Sequence, residues 1–148
     1  MGDIMARRNE YFTVDKECRD FGKTFCITEM LAFDAESFAI RAGLAILKNN
    51  PALPTDLTEK IANKTISFED IAVLGLGLFS GVAYHDLKPL LDDLMDCVQI
   101  IVDKKSMIMR ELEDEDIEEL STIIELRKRA LGLHINFSTA ADTQNTAT

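Results

Sequence analysis

Apolar positions change their period several times along this chain, and each change predicts an element. In "YFTVDKECRDFGKTFCITEM" two short β-favouring runs, Tyr11 to Val14 and Thr24 to Thr28, are separated by charged residues and Gly22, the composition of a hairpin with a long turn. From Ala35 to Lys48, Phe38, Ala42, Ala45 and Ile46 recur at helical spacing, with Asp34 placed to cap and Glu36 near the positive end of the helix dipole. "NNPALPTD" ends that helix, because prolines and paired asparagines do not continue it. Ala39, Ala42, Gly43 and Ala45 make one side small enough for another backbone to approach closely.

Ser67 and Asp70 have the spacing of a capping box, so a second helix is expected from Phe68 through the nearly all-apolar "IAVLGLGLF". Gly75 and Gly77 would each weaken it by about 0.8–1.0 kcal/mol relative to alanine. Asp86 can cap a third helix through "LKPLLDDLMDCV", with Leu87, Leu90, Leu91, Leu94 and Met95 on one face and Pro89 in its first turn. "VQIIV", residues 98–102, reads as a short strand that "SMIMR" can pair with across "DKK". The last helix carries two stripes, Ile117, Leu120, Ile124 and Leu131 on one, Ile123, Leu126, Ala130 and Leu133 on the other, so packing on two sides is expected. The pattern as a whole predicts a mainly α fold, a single helical domain over 10–137 with a small β-hairpin or short sheet near the N-terminus. Residues 1–9 are expected to be a flexible N-terminus and 138–148 a disordered tail.

A chain of 148 residues can bury about 68–70% of its unfolded surface, so no disulfide or metal is needed for a core. The 16 basic and 26 acidic side chains give a net charge of −10, which disfavours phosphate backbones and anionic membrane surfaces as partners. Cys18, Cys26 and Cys97 lack CxxC spacing and suit a reducing compartment as small buried hydrophobes. No apolar stretch follows the N-terminal arginines as a secretory signal would require, and Ile71 to Phe79 is about half the roughly 18–20 residues of a membrane span. A soluble intracellular protein is expected.

Seven carboxylates fall between Glu111 and Glu119, directly ahead of the last helix. As the N-terminus of that helix they would complement its dipole by about 0.3–1 kcal/mol each, with Arg127, Lys128 and Arg129 serving the later turns and Glu125 to Arg129 forming an i,i+4 pair. A calcium loop would need a turn glycine that "ELEDEDIEE" lacks. His85 and His134 have no zinc-ligand companion at motif spacing, and "GLGLFSG" lacks the lysine and spacing of a phosphate loop. The sequence therefore predicts neither a metal nor a cofactor, and no enzyme activity. Met5, Met30, Met95, Met107 and Met109 with Phe33, Phe38, Phe68 and Phe79 would offer an adaptable apolar surface where they are exposed.

Four segments, "GKTFCITEM" (22–30), "AESFAIRAGLAI" (35–46), "LLDDLMDCVQII" (90–101) and "EDIEELSTIIELRKRALGLHINF" (115–137), in this order resemble the tail assembly chaperones of long-tailed bacteriophages and prophages. The resemblance implies a protein that binds and solubilises the tape measure protein, helps recruit tail tube protein, works in the cytoplasm of the bacterial host and is absent from the finished virion. Client contacts would then fall on Phe38, Ile46 and Leu47 of the first helix and Leu78 and Phe79 of the second, residues whose pattern equally suits the core or the interface of a homo-oligomer. The competing readings are an acidic DNA mimic that inhibits a host nucleic-acid enzyme, through Glu113 to Glu119, and a structural connector of the virion.

Overall fold

The structure, a computed structural model, describes residues 7–49, 53–67, 70 and 81–147, with side chains as far as Ile135. It divides into two compact units, residues 1–29 with 94–136 and residues 30–93 with 137–148.

The first unit is built on a sheet. Strands β1 (Asn9–Thr13), β2 (Thr24–Thr28), β3 (Val98–Asp103) and β4 (Ile108–Glu111) form one antiparallel sheet in the order β1-β2-β3-β4. The β1–β2 loop closes through Val14 N–H to the Lys23 carbonyl and Gly22 N–H to the Val14 carbonyl, both 2.9 Å, with Gly22 at φ +84°, a conformation that disfavours a side chain. The β3–β4 turn is held by Asp103 Oδ1, which accepts from Lys105 N–H at 2.9 Å. Phe12, Phe25, Ile100 and Arg110 share one row and therefore one face, which Glu10, Ile27 and Val98 extend. Phe25, Ile27, Val98 and Ile100 are buried there. Helix α4 (Leu120–Ala147) meets this face, since Arg129 donates to Glu10 Oε1 at 2.7 Å and stands 4.3 Å from the Phe12 ring centre.

These strands overturn the expectation of a mainly helical chain with a small N-terminal β element. The fold is mixed α/β: among the described residues, four α-helices accompany a four-stranded antiparallel sheet. Both hairpins are visible in the sequence, but their union through β2 and β3 pairs segments that residues 29–97 separate, and local periodicity carries no signal of such pairing.

The second unit holds α1 (Ala32–Asn49), α2 (Thr55–Ala62) and α3 (Tyr84–Met95). Helix α2 begins at the end of the stretch read as a helix stop and runs on through residues for which the sequence pattern predicted no element. Pro54 precedes its first turn, Leu57 and Ile61 are its buried i,i+4 pair, and Lys64 at φ 59° turns the chain out of it, with Thr65 N–H on the Lys60 carbonyl at 2.9 Å. Gly43 of α1 lies against tight packing, since a Cβ there would lie 3.0 Å from Ile66 Cδ1 and 3.1 Å from Ile61 Cγ1. The predicted capping box is present: Ser67 N–H and hydroxyl reach Asp70 Oδ2 at 3.0 and 3.1 Å, and Asp70 N–H returns to Ser67 Oγ at 3.3 Å. The apolar helix expected after it, with Gly75, Gly77, Leu78 and Phe79, lies outside the described residues. At the C-terminal end, the backbone of α4 stays helical to Ala147, through the segment expected to be a disordered tail; "STAADTQNTA" contains no glycine or proline to stop it.

Candidate functional site

Helix α1 has two unlike faces. Phe38, Ala39, Ala42, Gly43, Ala45 and Ile46 are buried, with Phe38 2% and Ile46 0% exposed. Phe38 and Ile46, two of the three residues of this helix named for client contact, thus lie in the core of the folded chain, the alternative that their pattern equally suited. Leu47 is half-buried, and Leu78 and Phe79 lie outside the described residues. The opposite side of the helix carries Phe33, 87% exposed, and Leu44, also exposed, with Ile40 and Leu47 partly covered at i+7 and i+14 from Phe33. Leu31, just ahead of the helix, is exposed as well. Of the methionine and phenylalanine set, Met107 and Met109 are exposed as well, at the turn and edge strand of the sheet unit.

The strip on α1 is bordered by charge. Arg41 pairs with Asp93, and Lys48 Nζ lies 3.5 Å from Asp86 Oδ2. Arg41, Leu44, Ala45 and Lys48 face His85, Asp86 and Pro89 of α3 across a shallow groove of about 280 Å³. The groove has an apolar floor and pairs of opposite charge at its margins. That arrangement suits docking of an apolar side chain, and it offers no activated nucleophile: His85 is exposed and contacts Asp86 at 3.4 Å.

The acidic block is arranged differently from its sequence reading. Helix α4 begins at Leu120 and has no acidic residue in its first turn; Asp114–Asp116 form a 3₁₀ turn, Ile117 is extended, and residues 117–119 belong to no helix or strand. Arg110 grips Asp116 through both oxygens at 2.7 Å, Arg19 Nε holds Glu119 at 2.8 Å, and Lys23 Nζ reaches the Asp116 carbonyl at 2.8 Å and Glu118 at 3.4 Å. The Arg110 bond lowers the Asp116 carboxyl below its ordinary value against the opposing effect of burial, and the Arg19 bond lowers Glu119 likewise.

Behind this block lies Asp20, a buried carboxylate that sequence reading passed over. It accepts Lys23 Nζ at 2.8 Å, Glu118 and Glu119 N–H at 2.9 Å each, and the Thr122 hydroxyl at 2.7 Å. Burial pushes its carboxyl up, but Lys23, Glu118 N–H, Thr122 and Glu119 N–H together outweigh that and hold it at about 2. Asp20 is thus a structural anion that fixes the start of α4. No local motif marks it, because all but one of its partners are about a hundred positions away.

Among the described residues, no group of three His, Cys, Asp or Glu side chains is placed to hold a metal ion. No helix among them is long and apolar enough to cross a membrane. Comparison with protein-family models, with curated proteins and with solved structures finds no match to this chain.

Proposed function

We propose that this chain is a non-enzymatic assembly chaperone of the phage tail, binding and solubilising the tape measure protein and helping to recruit tail tube subunits. The observation that carries the reading is the apolar strip of α1, Phe33 with Leu44, left open to solvent and edged by ion pairs. An amphipathic client helix can lay apolar anchors along such a strip while the charged margin sets its orientation. The net charge of −10 keeps a loaded complex dispersed. The order of the four segments quoted above supports the same reading. The proposed place of action is the cytoplasm of the bacterial host, with release before the virion is complete.

The DNA-mimic reading draws less support, because Asp116, Glu118 and Glu119 are already engaged by Arg110, Lys23 and Arg19 of the same chain. The test is co-expression with a long, helical tape measure protein, followed by sedimentation and pull-down at low and high salt. Salt-resistant co-purification that keeps the long protein soluble, and that Phe33→Asp with Leu44→Asp abolishes, is the expected result. Absence of a complex, or a complex lost at high salt and sensitive only to neutralisation of Glu113 to Glu119, overturns it. Persistence of the chain in purified particles would point to a connector instead.

A further inference from the structure

A second apolar surface lies in the sheet unit, on α4. The two stripes of this helix have different fates. Leu126 and Ala130 are fully buried and Leu133 nearly so, while Leu120 is 69% and Ile124 55% exposed, with Leu131 partly open on the same side. At 100° per residue, Leu120, Ile124, Arg127 and Leu131 fall within one narrow stripe of the helix and Lys128 flanks it. Thus one of the two predicted packing sides has no partner in this unit.

Its charge is segregated along its length. Ahead of Leu120 stand Glu113, Asp114 and Glu115, all exposed; beyond Ile124 stand Arg127 and exposed Lys128. Among the described residues, neither Arg127 nor Lys128 has a carboxylate partner, and Arg127 Nε is buried without any hydrogen-bond acceptor. The third cation of the run, Arg129, is by contrast fully committed to Glu10 and Glu125. One end of the surface therefore carries acid, with Glu113 4.0 Å from Arg110 Nη1 and Asp114 and Glu115 outside the ion pairs of the described residues, and the other carries unpaired base, on either side of two exposed aliphatic side chains.

We propose that this surface binds a second copy of the chain, with the two α4 helices antiparallel about a two-fold axis near Thr122. That register sets Leu120 of each copy against Ile124 of the other and brings Arg127 and Lys128 of each toward the acidic block of the other. A two-fold interface requires a patch that complements itself, and an acid–apolar–base order does so only when reversed. Parallel pairing would place like charges together at both ends. The proposal is independent of the client surface on α1, which belongs to the other unit.

The pairing is small, in the class of transient contacts, so dissociation of about 1–100 µM is expected. Sedimentation of the full chain over that concentration range tests it with two charge reversals at exposed positions, Lys128→Glu and Glu115→Lys. Each alone makes two repulsive contacts in the dimer and is expected to weaken association at least about tenfold. Mixed in equal amounts, the two variants present only opposite charges to one another, and the dimer is expected to return; its return also demonstrates that both are folded. Ile124→Glu should abolish association, including in the mixture. A wild-type chain that stays monomeric throughout, a dimer indifferent to these substitutions, or a mixture that remains monomeric overturns the proposal.

Discussion

The Asp20 carboxylate and the Thr122 hydroxyl meet at 2.7 Å across 102 positions of sequence, both side chains buried. This bond and the two N–H bonds from Glu118 and Glu119 secure the turn into α4 to the β1–β2 loop. An aspartate supplied from another segment thus holds the two residues ahead of the helix by their N–H groups and the first turn by its Thr122 side chain.

Asp20→Asn removes the charge that Lys23 and three further donors share, and puts an amide donor where a donor already stands. The expected cost is about 2–4 kcal/mol of folding stability, read from the urea midpoint with the slope unchanged. Thr122→Val, which removes one of the four donors, should cost about 1–2 kcal/mol.

Acid should reveal the same residue. Its carboxyl stands near 2 in the folded protein against an ordinary 3.8, so folding stabilises the ionised form. That contribution, about 2 kcal/mol, is complete well above pH 4 and is lost as pH falls through the folded value near 2. Asp116 and Glu119, also lowered by their arginine partners, add in the same direction. The stability of the wild-type chain should therefore drop between about pH 5 and pH 2, and Asp20→Asn should show a shallower drop in the same titration.

The two faces of α1 should separate in mutational tests. Phe38→Ala is expected to lose about 3–5 kcal/mol, as for other buried aromatics, whereas Phe33→Ser should stay within about 0.5 kcal/mol of wild type. Loss of client solubilisation by Phe33→Ser at unchanged thermal stability would place function on the exposed strip. A large loss of stability on Phe33→Ser would show that side chain to be packed.

Packing at Gly43 gives a graded expectation. With a Cβ 3.0 Å from Ile66 Cδ1 and 3.1 Å from Ile61 Cγ1, Gly43→Ala requires both buried isoleucines to give by a few tenths of an ångström and should stay within about 1 kcal/mol of wild type, that displacement being offset by about 0.8–1.0 kcal/mol of helix propensity. Gly43→Val cannot be accommodated by so small a displacement and should cost about 1–3 kcal/mol in thermal or urea unfolding.

Much of the local structure was legible because its cause is local. The helical spacing of Phe38, Ala42 and Ile46, the Leu90 and Leu94 face, the Ser67–Asp70 box and the β-branched runs at Thr24–Thr28 and Val98–Val102 each rest on neighbours within a few residues. Helix α2 was obscured by Pro51 and Pro54, which mark a helix stop and a helix start with the same residue type. The acidic block was read as the first turn of α4 because charge order along the chain is all a sequence displays; Arg110, Arg19 and Lys23 instead fold it into a turn of its own ahead of the helix.

The sequence by itself determined the four strands and the bodies of α1, α3 and α4, since period is a property of short windows. Tertiary structure alone decided that the two hairpins join into one sheet, that Asp20 anchors the segment leading into α4, and that Phe38 is core while Phe33 is open. Strand pairing, burial and long-range hydrogen bonding depend on which residues meet after the chain has folded. Two apolar stripes on one helix look alike until the neighbours of each are in place.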